Sequence, residues 1–276
     1  MKVLKTTLNI GIDKPFSFLH MTDTHFTETD NSDSPVRVEF AAERRVQIFP
    51  KARENALFAE QYVLESKLPL FHTGDIIDFF TPANFRFAKN FAEKTNLTLI
   101  AGNHEIHTCP NNVFCEDDFT IDLAHREERL DYAQGWFSND IRYFCREING
   151  VYLVGINNSD YQISDSNFSR LKELSKLGKP IILFMHIPLY STEIYKQANN
   201  AMLSIPDEIV DKFSEFQQFE QRANATTKKT VEFIKNTSIF KCVVCGHLHF
   251  DFETEDKDDI KQILTGINTL REITVI

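Results

Sequence analysis

Apolar runs alternate with amphipathic stretches along most of the chain. "FSFLHM", residues 16 to 21, is an apolar run that leads into Asp23-Thr24-His25. "LPLFHTGD" predicts a buried strand, "ANFRFAKNFAEK" a helix and "LTLIAGN" another strand, a βαβ unit with parallel pairing. "IRYFCREINGVYLVGIN" predicts a hairpin that turns at Asn149-Gly150, a pair suited to a type I′ turn. "SDSNFSRLKELSKLGKPIILFMHIP" predicts a capped helix, a Gly and Pro break and a buried strand. "KCVVCGHLHF" predicts a strand ending in a loop, and "KQILTGINTLREITVI" two further strands. The pattern is that of an α/β protein with mixed pairing, two sheets packed together, in a single domain spanning residues 1–276. Segments 26–50, 105–140 and 187–208 do not fit it. Each follows a strand end, so they are expected to be long loop insertions at the edge where α/β sheets meet ligands.

The composition narrows the class. With 276 residues, 42% hydrophobic and 25% charged, the chain can bury a sizeable core as a soluble globular protein. No apolar run reaches the length of a bilayer span, so no membrane association is expected. "MKVLKTTLNIGIDKP" lacks a continuous apolar region, so no signal peptide is predicted. The five cysteines are odd in number and scattered, which fits a reducing, cytoplasmic setting. A net charge of −10 disfavours nucleic acid as a partner. The acidic run "ETEDKDD" is expected to be a solvated turn.

The strand ends collect polar chemistry. Asp23-x-His25 follows the first predicted strand, Gly74-Asp75-x-x-Asp78 the second and Gly102-Asn103-His104-Glu105 the third. His186 follows "IILFM", and Gly246-His247-x-His249 follows "KCVVC". Five of the nine histidines and three of the nine glycines fall in these blocks, too many for an even scatter of loop residues. A glycine ahead of a ligating residue allows a sharp exit and close backbone approach. Carboxylate, carboxamide and imidazole donors suit Mn, Fe or Zn. Their number exceeds one tetrahedral site, whereas two ions ~3.5–4 Å apart, sharing a carboxylate, would use them and could clamp a phosphoryl group.

This ordered set resembles the calcineurin-like metallophosphoesterase superfamily, whose pattern is D-x-H, G-D-x-x-D, G-N-H-[DE], H and G-H-x-H. Here the blocks read "DTH", "GDIID", "GNHE", "HIP" and "GHLH". The resemblance implies a sandwich of two mixed β-sheets flanked by helices, with insertions at the metal edge. It further implies that Asp23, His25, Asp75 and His249 hold one divalent ion, and that Asp75 bridges to a second held by Asn103, His186 and His247. His104 would face the substrate as general acid, with the Asp78 carboxylate orienting it and raising its pKa. The implied activity is hydrolysis of a phosphomonoester or phosphodiester by attack of hydroxide held between the ions. A nucleotide phosphodiesterase or pyrophosphatase is the alternative enzyme. A phosphate-ligand sensor is the alternative outside catalysis. Purple acid phosphatases differ in carrying a tyrosine ligand.

The remaining candidates have plainer readings. Cys242-x-x-Cys245 beside His247 and His249 imitates a zinc site, yet a spacing of three on a strand sends the thiols to opposite faces. His20 and His72 are expected to be hydrogen-bonded core residues. His107, His125, Arg37, Arg44, Arg45, Arg126 and Arg129 lie in the insertions, where an arginine gripping phosphate would be found.

Overall fold

The computed structural model describes residues 1–106, 126–202, 223–256 and 259–276. Two sheets are built from the strands β1 (Lys2–Leu8), β2 (Phe16–Met21), β3 (Leu70–His72), β4 (Thr98–Leu99), β5 (Tyr143–Ile148), β6 (Val151–Ile156), β7 (Ile181–Phe184), β8 (Phe240–Cys245), β9 (Phe252–Glu253), β10 (Gln262–Leu264) and β11 (Thr269–Val275). The first sheet has the order β1-β11-β2-β3-β4 and the second β5-β6-β7-β8-β10-β9. Both are mixed: β2, β3 and β4 run parallel, as do β6, β7, β8 and β10, while β11 meets β2 antiparallel.

Strand alternation explains the layering. Phe18 and its sheet neighbour Phe71 face the other sheet, where Phe144 and Phe184 meet them, and Leu19 and Met21 point outward. Phe71 and Phe184 stack with centroids 4.8 Å apart, and Phe18 stands edge-on to Phe71 at 5.5 Å. These rings are the middle of the sandwich. Helices α2 (Ala52–Ser66) and α3 (Pro82–Thr95) cover the outside of the first sheet through Ala56, Ala59, Phe85 and Ala88. Helices α5 (Asp165–Ser175) and α7 (Ala225–Asn236) cover the second through Leu171 and Ile234.

The βαβ unit β3-α3-β4 and the hairpin β5-β6 form as the pattern predicts. Ile148 opposes Val151 across the turn, and Asn149 and Gly150 have φ of 49° and 86°, both positive as a type I′ turn demands. β4 is shorter than "LTLIAGN" suggests. The Asn139 side chain accepts from Leu99 N at 3.0 Å and donates to Leu99 O at 2.7 Å, so a side chain replaces a neighbouring strand at this edge.

The three insertions are not simply loops. Segment 26–50 contains helix α1 (Pro35–Gln47), segment 105–140 contains α4 (Arg126–Gln134), and segment 187–208 contains α6 (Thr192–Met202). Ser34 caps α1 and Pro35 opens it, both readable start signals. The apolar stripe that would have marked α1 is absent, since Ala41 is its one buried residue. Residues 107–125 and 203–208 of those segments lie outside the described residues. β1, which pairs in parallel with β11 over its full length, and α2 and α7 were not anticipated from the pattern.

The central ring stack should dominate stability. Phe184→Ala is expected to lower the unfolding free energy by ~3–5 kcal/mol, the range for a buried phenylalanine, seen as a lower denaturant midpoint at unchanged slope. A loss under ~1 kcal/mol would mean that the sandwich does not hinge on this stack.

Candidate metal centre

The polar strand exits of both sheets meet at one edge. Those of β2, β3 and β4 come from the first sheet, and those of β7 and β8 from the second. Beyond β2 and β3 the chains stay zipped together: Asp23 N donates to Gly74 O, His25 N to Asp75 O and Phe26 N to Ile76 O, each at 3.0 Å. The turns are tight enough that Asp23, His25, Asp75, His247 and His249 all take positive φ, between 49° and 68°. Gly74, at φ 100°, has no room for a side chain, since a Cβ there would strike the backbone of Gly102. A Cβ on Gly246 would strike the Thr22 hydroxyl and the Asp23 carboxylate.

Each of the two central carboxylates has one oxygen pinned and one presented. Asp23 Oδ2 accepts from the Thr22 hydroxyl at 2.7 Å and from His247 N at 3.0 Å. Its Oδ1 is buried without a hydrogen-bond partner, 3.3 Å from His249 Nε2 and 3.8 Å from His25 Nε2. Asp75 Oδ1 accepts from His104 N at 2.8 Å. Its Oδ2 lies 3.2 Å from His186 Nε2, 3.8 Å from His25 Nε2 and 3.9 Å from His104 Nε2.

The imidazoles converge in two sets. His25 Nε2 and His249 Nε2 are 3.1 Å apart beside Asp23. His186 Nε2 and His247 Nδ1 are 3.2 Å apart, with Asn103 Oδ1 at 2.8 Å and 3.1 Å from them. His186 Nδ1 donates to Thr73 O at 2.7 Å, which aims Nε2 at the cluster. The groups Asp23, His25, His249 and Asp75, His186, His247 could each hold a cation, and Asp75 Oδ2 reaches toward both. An orphaned buried carboxylate oxygen and facing imidazole nitrogens are what divalent ions would satisfy, so the residues fit the implied ions. All seven residues singled out as ligands from the sequence are therefore brought together.

His104 and Asp78 depart from expectation. His104 Nδ1 is 2.5 Å from the Asp78 backbone carbonyl, while the nearest Asp78 carboxylate oxygen is 3.6 Å away. The carboxylate is instead held by Arg44, with Nε–Oδ2 and Nη2–Oδ1 both 2.7 Å. Burial lowers the His104 pKa despite Asp75 and Asp78, so the expected rise does not occur.

Several contributors were missed in the sequence. Glu105, fully buried, accepts from Asp75 N at 2.8 Å, Ile76 N at 2.9 Å and Gly102 N at 2.6 Å, and ties two ligand-bearing turns together. Burial, then Asp75, pushes its pKa up to about 7. Its place in "GNHE" was the available signal. The exit of β6, "NNSDY", is a sixth polar junction. Asn158 Oδ1 accepts from His186 N and Ile187 N, both at 3.1 Å, and the Tyr161 hydroxyl sits 3.4 Å from His247 Nε2. Phe49 stacks on His25 with centroids 4.1 Å apart.

The plainer readings of the core histidines and the cysteines are met, while His107 and His125 lie outside the described residues. His20 lies between the hydroxyls of Thr265 and Thr73 at 2.8 Å and 2.9 Å, and His72 meets that of Thr24 at 2.8 Å. Cys242 packs between the sheets and Cys245 on the outer side, and burial raises both thiol pKa values. No helix among the described residues is long and apolar enough to cross a membrane.

The charges predict a pH dependence for protein stripped of divalent ions by a chelator. Burial disfavours the imidazolium of His25 and His186, but the surrounding carboxylates outweigh it. Asp23, Asp78 and Asp75 raise His25 to about 10, and Asp75 and Asp23 raise His186 to about 9. A raised histidine contributes stability that is full below its unfolded pKa near 6.5 and is lost as pH rises through the folded value. Burial drops His72 and His247 to about 3, so their contribution is present above 6.5 and lost as pH falls toward 3. Thermal unfolding of the stripped protein should therefore show a maximum near neutrality and a decline between pH 7 and 10. Added Mn²⁺ should lift that alkaline limb by binding the folded state. A melting temperature flat from pH 7 to 10 would refute the assignment.

A family model for calcineurin-like phosphoesterases matches residues 16–251. Among solved structures, a dimetal phosphatase from Danio rerio is similar at a TM-score of 0.50 and 12% identity, covering 91% of this chain and 87% of that one. A purple acid phosphatase from yellow lupin (Lupinus luteus) seeds is similar at a TM-score of 0.50 and 12% identity, covering 92% of this chain and 44% of that one. At such identities the likeness is one of fold. No curated protein matches the chain in sequence. The matched span contains all five strand-end blocks and their converging donors, and the chain belongs to the calcineurin-like phosphoesterase family.

Proposed function

We propose that the protein is a two-metal phosphoesterase that hydrolyses a small phosphomonoester or phosphodiester. The observation that carries this reading is the pair of donor groups sharing Asp75, whose Oδ2 lies within 4 Å of imidazoles in both. Asp23, His25, Asp75 and His249 would hold one ion, and Asp75, Asn103, His186 and His247 the other. Oxygen and imidazole donors suit Mn, Fe or Zn. Such ions supply Lewis-acid charge for the phosphoryl oxygens and for the attacking water.

The chain's own residues do the rest. Asp75 Oδ1 accepts from His104 N and fixes its backbone, and the Asp78 carbonyl accepts from Nδ1–H, so Nε2 is the ring atom left to face the substrate. A bound phosphoester anion favours the protonated ring that burial otherwise disfavours. Nε2–H then donates to the leaving oxygen. Phe49 covers one face of His25 and keeps water from that side.

Metal analysis of the purified protein should give two divalent ions per chain, and His249→Ala about one. Turnover of a panel of chromogenic phosphomonoesters and phosphodiesters should depend on Mn²⁺. His104→Ala should keep both ions and lose ~10²–10⁴-fold in rate on an alkyl phosphate. The loss should be much smaller with p-nitrophenolate, which leaves without a proton. Equal losses on both would remove His104 as the acid. Tight phosphate binding without turnover of any ester would make the protein a sensor.

A further inference from the structure

Helix α1 reaches the two imidazoles at the catalytic edge through Arg44. Its Arg44 guanidinium grips both oxygens of Asp78, and that carboxylate is fully buried while the arginine side chain is 24% exposed. Asp78 is not only an anchor. Its Oδ1 lies 3.3 Å from His25 Nδ1 and 3.6 Å from His104 Nδ1, and its carbonyl meets His104 Nδ1. The guanidinium also lies over Phe49, 5.1 Å from the ring centroid, and that ring stacks on His25. Arg44 thus touches, through two different neighbours, the imidazole assigned to a metal and the imidazole assigned to the leaving group.

We propose that Arg44 is a positioning residue that sets the orientation of His104 and His25 through Asp78 and Phe49, so that docking of α1 completes the catalytic edge. The planar fork matches the carboxylate at two points, which fixes the Asp78 side chain and, with it, the peptide whose carbonyl holds His104. Without the guanidinium, the buried carboxylate would turn to the nearest donors, the two Nδ1 atoms, and pull both rings from their present partners. Nε and Nη2 are committed to Asp78. Arg45, which bonds Thr27, and Phe40 and Ala41, which pack on Phe79, hold the rest of α1 against the same edge.

The inference rests on the roles proposed for His104 and the metal centre, and its test separates the two. In Arg44→Ala, two ions per chain and KM within a few-fold of the parent are expected, with kcat on an alkyl phosphate lower by ~10–100-fold, the scale for loss of an outer hydrogen-bond partner. Millimolar ethylguanidinium should restore part of that rate, and Arg44→Lys, which keeps charge but not the fork, should be intermediate. The Arg44→Ala loss should largely disappear in an Asp78→Asn background, since both act on one path. Additive losses, or a raised KM at unchanged kcat, would overturn the proposal, the latter making Arg44 a substrate contact. A second readout needs no turnover: the imidazole ¹⁵N resonances of His25 and His104 should shift in Arg44→Ala, while those of His20 and His72 stay. Unmoved His25 and His104 resonances would overturn it as well. An inactive parent with shifted resonances would instead retire the phosphoesterase reading and leave the positioning intact.

Discussion

Asp75 carries a negative charge that the fold buries almost completely, and a buried carboxylate persists only where charge and hydrogen bonds surround it. Every part of its residue is used. The amide donates to Glu105, the carbonyl accepts from His25 N, Oδ1 accepts from His104 N, and Oδ2 confronts the rings of His25, His104 and His186. These groups arrive from two other strand exits of its own sheet and one of the second. His186 and His104 hold the Asp75 carboxyl well below its ordinary pKa against the opposing effect of burial. Glu105, a second buried carboxyl a few ångströms away, is pushed the other way. Two adjacent acids are thus driven apart, one held charged by the imidazoles and the other clamped by backbone N–H groups at both oxygens.

That arrangement costs backbone strain. Five residues at the edge sit at positive φ, a region that costs non-glycine residues ~1–3 kcal/mol each when the surroundings do not favour it. Glycine would relieve the strain but could supply no donor. The chain therefore places glycine beside the donors, at Gly74 and Gly246, and lets Asp75 and His247 take the strained turn. Continued as regular strand, successive side chains would point to opposite faces of the sheet rather than toward a common centre.

How much of this was legible depends on range. The five blocks were readable because each is a local signal: an apolar run followed at once by a turn residue and donors. The hairpin and the helix before β7 were readable for the same reason. What escaped relies on distant pairing. β1 is a strand because β11 lies beside it, some 270 residues along. α1 has no apolar stripe to betray it and is held by Arg44 and its neighbours. Asp78 was recognised as part of its block, and the resemblance gave its carboxylate to His104. The carboxylate went to an arginine 34 residues upstream, and the carbonyl, which no pattern advertises, went to His104.

The division of donors between the sheets makes the centre a property of the sandwich rather than of either half. Asp23, His25, Asp75 and Asn103 stand on exits of the first sheet, and His186, His247 and His249 on exits of the second. What sets their spacing is the packing of Phe18 and Phe71 against Phe184 between the sheets, together with the bond from His186 to Thr73. Close-packed interiors transmit small displacements instead of absorbing them. A misplacement of ~1 Å at a reacting centre is enough to cost ~10²-fold in rate. The aromatic core therefore acts on chemistry as well as stability. It holds apart, at a fixed distance, two sets of donors that have no reason to meet in an unpacked chain.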